Sequence, residues 1–118
     1  MSLMSKKLVL KLMDGAKPGG KMLSVEGLSS TYVFLKIVAE LKKKFDGTLI
    51  SESGSVMNDD WLIKLRIKNS TVNVSWAWHG INISVEKKTD HPVLKEIAAR
   101  LSELKFNKLR LFFEEKMG

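Results

Sequence analysis

The chain has 118 residues, 44% of them hydrophobic and 28% charged, with a formal charge of +7. That length fits one domain, 1–118, able to bury about two thirds of the surface its unfolded chain exposes. Without cysteine there are no disulfides, thiolate zinc sites or iron–sulfur clusters, and no apolar run nears the ~18 residues of a membrane span.

The first three residues, Met1-Ser2-Leu3, precede a second methionine, Met4, and read as an added leader. The N-terminal stretch shows neither the long apolar core nor the cleavage pattern of a secretory signal, so a cytoplasmic location is expected. Residues 4–27 read as a hairpin. Lys6 to Met13 alternates like a strand, with Leu8, Leu10 and Leu12 on one side, and Met22 to Gly27 returns after a loop rich in turn residues. Within that loop, Gly15 to Met22 is spaced like a phosphate-binding loop. Met22 stands where such a loop needs a serine or threonine for magnesium, and no helix follows to receive the phosphate, so the stretch reads as a hairpin tip.

Residues 28–47 read as the first helix. Phe34, Ile37, Val38, Leu41 and Phe45 form an apolar stripe, Ser29 or Ser30 can cap the start, and Lys42, Lys43 and Lys44 suit the negative end of the helix dipole. Strands fill 48–88. Thr48 to Met57 is a strand interrupted near Gly54. Beyond it Trp61, Ile63, Leu65 and Ile67 alternate with Lys64, Arg66 and Lys68.

Taking Asn69-Ser70 and His79-Gly80 as two-residue loops pairs Ile67 with Val72, Ile63 with Trp76 and Trp61 with Trp78, then Trp78 with Ile81 and Trp76 with Ile83. Every apolar residue falls on one face, which predicts a three-stranded meander from Trp61 to Lys87.

Residues 89–106 read as the second helix, with Asp90 or His91 as cap, Pro92 in the first turn, and Leu94, Ile97, Ala98, Leu101 and Leu104 as its stripe. In the tail, 107–118, Leu109, Leu111 and Phe113 alternate like a strand while Phe106, Leu109 and Phe113 also suit a helix; of the two, a short helix packed by its phenylalanines is the expectation. The resulting class is α+β: an antiparallel sheet of four to six strands with a central three-stranded meander, and two main helices packed on one face. The order helix, three strands, helix over Ser30 to Leu104 resembles in outline a double-stranded-RNA-binding domain. That family's glycine- and lysine-rich approach to the second helix is missing, since Lys87 and Lys88 are followed by Asp90 and Pro92.

No catalytic motif is present, so an enzyme is not expected: there is no serine elbow, no cysteine, and no carboxylate pair in an apolar setting. The two histidines, His79 and His91, fall at different corners of this arrangement, and no metal or cofactor is expected. The basic balance favours an anionic partner. Yet 17 of the 20 cations are lysine, whereas bidentate recognition of phosphate or guanine is the work of arginine.

Two surfaces stand out. Lys42, Lys43, Lys44, Lys64, Arg66, Lys68, Lys87 and Lys88 form the candidate partner or nucleic-acid surface, and Trp61, Trp78 and His79 a candidate exposed aromatic end. The expected function is a small non-enzymatic binding or adaptor module, acting through a protein partner or by self-association. The alternative is a basic nucleic-acid-binding protein.

Overall fold

Alternation in the middle of the chain folds as antiparallel strands, and the two apolar stripes fold as helices laid over them. The structure, a computed structural model, describes residues 5–14, 20–26, 30–55, 60–77 and 80–107. In chain order the elements are β1 (Ser5–Lys7), β2 (Val9–Asp14), β3 (Lys21–Glu26), α1 (Thr31–Lys44), β4 (Thr48–Ser55), β5 (Asp60–Ile67), β6 (Ser70–Ala77) and β7 (Gly80–Val85). A 3-10 turn (Lys88–Asp90), α2 (His91–Leu101) and β8 (Lys105–Asn107) complete them.

Six strands form one antiparallel sheet in the order β2-β3-β7-β6-β5-β4, while β1 and β8 pair apart from it. The fold is therefore α+β, as expected. The meander runs from β4 to β7, so four strands separate the helices where a double-stranded-RNA-binding domain has three. After β3 the chain crosses through α1 to the far edge, and the meander brings β7 back against β3.

The expected strand register needs correction at both turns. The first loop is Lys68-Asn69, with φ of 50° and 66°, and it sets Ile67 opposite Ser70 and Trp61 opposite Trp76. At the second turn Ala77 lies opposite Gly80, and Trp76 pairs with Ile81. Gly80 is thus the first residue of β7 and not part of the loop; its φ of 149° suits glycine. Each turn sits one residue earlier than expected, which slides the pairing by two. A slide of two leaves every side chain on its own face, so the face assignment survives the error.

Other boundaries also move. The strand expected over Lys6 to Met13 divides at buried Leu8, and its two halves join different sheets. Within the expected 28–47, α1 occupies Thr31–Lys44; the Ser30 side chain accepts a hydrogen bond from the Val33 N–H at 3.3 Å, and Asp46 turns the chain away at φ 52°.

The second helix ends at Leu101 and not at residue 106. Glu103 and Leu104 donate to the carbonyls of Arg100 and Leu101, a tight last turn, and the chain then extends to pair β8 with β1. Asn107, the first residue of the expected tail helix, belongs to β8. The remainder of that tail, 108–118, and the hairpin tip, 15–19, lie outside the described residues.

The core lies between one face of the sheet and the helices. α1 buries Val33, Phe34, Ile37, Val38 and Leu41, and α2 buries Leu94, Ile97 and Leu101. They meet Leu23, Val25, Ile63, Leu65, Ile67, Val72, Val74, Trp76, Ile81 and Ile83, each worth about 1.5–3 kcal/mol on burial. α2 lies against β3 and β7, and α1 against β6 and α2.

Two helices at about 10 Å spacing shade about 20 Å of sheet, whereas six strands span about 24 Å between outer axes. The outer strands therefore overhang the helix layer. This accounts for exposed Leu12 on β2 and exposed Leu49 on β4, both on the helix side of the sheet.

Candidate partner-binding face

The side of the sheet away from the helices follows from the same alternation. In β6, Ser70, Val72, Val74 and Trp76 are buried towards the helices, and the residues between them turn to the other side and stay half-buried. The registers then align two rows across all six strands. One row is Ser51, Lys64, Asn73, Ser84, Met22 and Met13; the next is Ser53, Leu62, Ser75, Asn82, Ser24 and Lys11. Most of these side chains are small, so the face is flat, and no described element covers it.

Its centre is polar and nearly neutral. The Lys64 ammonium pairs with Glu86 Oε1 at 3.0 Å, and the Ser75 hydroxyl donates to the Asn82 carbonyl at 3.4 Å. Asn73, between Lys64 and Ser84, holds a buried Oδ1 with no donor among the described residues. A buried acceptor left in this state costs about 1–3 kcal/mol. A partner that turns this amide outward and donates an N–H or O–H to it would recover the cost.

Most of the expected basic surface is gathered at one end of the sheet. The exit of α1 reaches the end of β5, where a Cβ on Gly47 would stand 3.3 Å from Ile67 Cγ1, and the Glu86 N–H bonds the Thr71 carbonyl at 3.3 Å beside the β5–β6 turn. Lys42, Lys43, Lys44, Arg66, Lys68 and Lys87 thus lie at the same end of the fold, all exposed, with Arg66 on the side of the sheet away from α1. Lys88 opens the 3-10 turn, and its side chain lies outside the described part.

Two of these cations are already engaged. Lys64 is held by Glu86 and Lys68 by Glu96, partners 22 and 28 residues away that spacing along the chain did not suggest. Lys42, Lys43, Lys44, Arg66 and Lys87 make no ion pair among the described residues.

The aromatic end is at the opposite end of the sheet. Trp61 is half-buried; its ring stands 5.2 Å from Phe34 between centroids, and its indole N–H donates to Glu52 Oε1 at 2.9 Å. Its cross-strand neighbour is Trp76, 8% exposed, and Ile81 is fully buried, so these rings belong to the core and its margin. Trp78 and His79 lie outside the described residues.

His91 opens α2 without a hydrogen bond to a carboxylate among the described residues. No group of three or more histidine and carboxylate side chains there could hold a metal ion, and no helix among them is long and apolar enough to cross a membrane. Comparison with family models, with curated proteins and with solved structures finds no match to this chain.

Proposed function

We propose that this protein is a small non-enzymatic binding module, cytoplasmic, that engages a protein partner through the face of its sheet that no described element covers. One observation carries the reading: the face is flat, hydrogen-bonding and almost neutral, and Asn73 Oδ1 near its centre has no donor among the described residues. Nucleic acid is a poor fit for such a surface. A phosphate backbone calls for a field of free cations, and a single-stranded reader calls for exposed rings to stack on the bases.

The basic end supports a second reading, nucleic-acid binding through Lys42, Lys43, Lys44, Arg66 and Lys87. Against it stands the neutralisation of Lys64 and Lys68 by carboxylates.

Two measurements separate the readings. The first is affinity for duplex and single-stranded nucleic acid at low and physiological salt; a phosphate binder loses affinity steeply, and a protein-binding module shows no appreciable binding at either. The second is capture of partners from nuclease-treated cell extract by the wild type, by Ser75→Arg and by the triple Lys42, Lys43 and Lys44 to alanine variant. Loss of a captured protein with Ser75→Arg alone, in a chain that still folds, supports the sheet face. Loss with the lysine variant alone moves the site to the basic end.

A further inference from the structure

Among the described residues, β2 and β4 each have one strand neighbour in the main sheet. An edge strand turns every second pair of backbone N–H and C=O groups outward, and folded proteins protect such edges with bulges, kinks or charge. β4 is protected in this way: its register slips between Leu49 and Ser51, and Gly54 bends it at φ 80°. By contrast β2 pairs with β3 without a break from Val9 to Asp14, and none of its residues has a positive φ. It also exposes apolar side chains on both faces, with Val9 at 61% and Met13 at 37% on the polar side and Leu12 at 46% on the helix side.

We propose that β2 is a homodimer edge. A second copy of this chain adds its own β2 antiparallel across a two-fold axis normal to the sheet, which joins two six-stranded sheets into one. The overhang argues for a second copy over a foreign peptide. Leu12 sits on a ledge beyond α2, and one added strand would leave that ledge open. A second copy sets ledge against ledge, so that Leu12 packs on its symmetry mate between two helix layers.

Register agrees with this choice. An axis through Leu12 keeps each face on its own side and puts Lys11 opposite Met13, so that no like charges stand directly opposite each other. The contact is short, about 17 Å of ladder for the five residues Leu10 to Asp14 that an axis through Leu12 pairs, which places the dimer at the small, dissociable end of interfaces. Each copy carries +7, so salt screens the repulsion and tightens the dimer, the opposite sign to a complex with phosphate or an acidic peptide. The dimer extends the reading of the polar face without depending on it.

The test is sedimentation equilibrium of the full chain over a wide concentration range, at low and physiological salt, for the wild type, Leu12→Lys and Leu49→Lys. Leu49, 52% exposed on the other edge, is the matched control. The expected result is a monomer–dimer equilibrium that tightens with salt, weakens at least about tenfold in Leu12→Lys and is unchanged in Leu49→Lys. A wild type that stays monomeric to millimolar concentration overturns the proposal. So does a dimer that weakens with salt, or one that Leu49→Lys breaks and Leu12→Lys spares. Should Leu12→Lys fail to fold, hydrogen exchange in the wild type decides: β2 amides must gain protection as concentration rises. No other partner is present in any arm, so failure here is distinct from failure of the polar face to bind one.

Discussion

The indole N–H of Trp61 donates to Glu52 Oε1 at 2.9 Å, diagonally across the β4–β5 ladder on the helix side of the sheet. β4 is exposed from Thr48 to Gly54, and this bond ties it to a ring that itself rests on Phe34. Replacing Glu52 with alanine is expected to lower stability by about 1 kcal/mol, with Glu52→Gln recovering most of the loss. Urea titration measures the loss, and a red shift of tryptophan emission reports the ring opening to water.

Gly54 lies opposite Trp61 at φ 80°, and a Cβ there would stand 2.0 Å from the Asp60 carbonyl oxygen. Gly54→Ala is therefore expected to cost at least about 2 kcal/mol, because backbone and not a yielding side chain is in the way. Hydrogen exchange should show the loss locally, with β4 amides opening and β6 amides keeping their protection.

Trp76 is the largest side chain in the middle strand of the meander and is 8% exposed, between Trp61 and Ile81. Trp76→Ala removes a filled volume under α1 and is expected to cost about 3–5 kcal/mol. A thermal melt unchanged by this substitution would contradict the face assignment for the whole meander.

Arg100 joins the helices through a two-pronged contact, with Nε 3.1 Å and Nη2 3.0 Å from Glu40 Oε1, while Nη1 reaches Glu103 at 3.0 Å. Glu40 is well covered, at 14% side-chain exposure, so its carboxylate relies on this partner. Arg100→Ala is expected to lower stability by about 1–2 kcal/mol, and Arg100→Lys to restore only part of it, since one ammonium cannot reproduce the fork. Melting temperatures of the three proteins check the order.

Asn73 is the position where stability and binding should oppose each other. Exchanging it for threonine removes the orphaned acceptor and adds a strand-favouring residue, for an expected gain of up to about 1 kcal/mol. Denaturation of Asn73→Thr measures the gain, and a captured partner should bind it less well than the wild type.

The lysine-rich surface was only half legible. Lys42, Lys43 and Lys44 read correctly as an exposed helix end, because capping and dipole rules are local. The state of Lys64 and Lys68 was not readable, because Glu86 and Glu96 reach them only after the sheet closes and α2 docks. The aromatic end is described only at Trp61, where the setting of the ring depends on Phe34 from α1 and Glu52 from β4, contacts that spacing along the chain does not carry.

Period-two alternation by itself determined which side of the sheet Trp61, Ile63, Val72, Val74, Trp76, Ile81 and Ile83 face, and the helical stripes determined what α1 and α2 bury. Side is a property of parity along one strand, so even a register wrong by two residues preserves it. Neighbours are different. Only the tertiary structure decided that Trp61 meets Trp76, that β7 closes on β3, and that β2 and β4 overhang the helices. These depend on turn positions, on a long crossover and on the width of two helices against six strands, none of which is encoded in a local pattern.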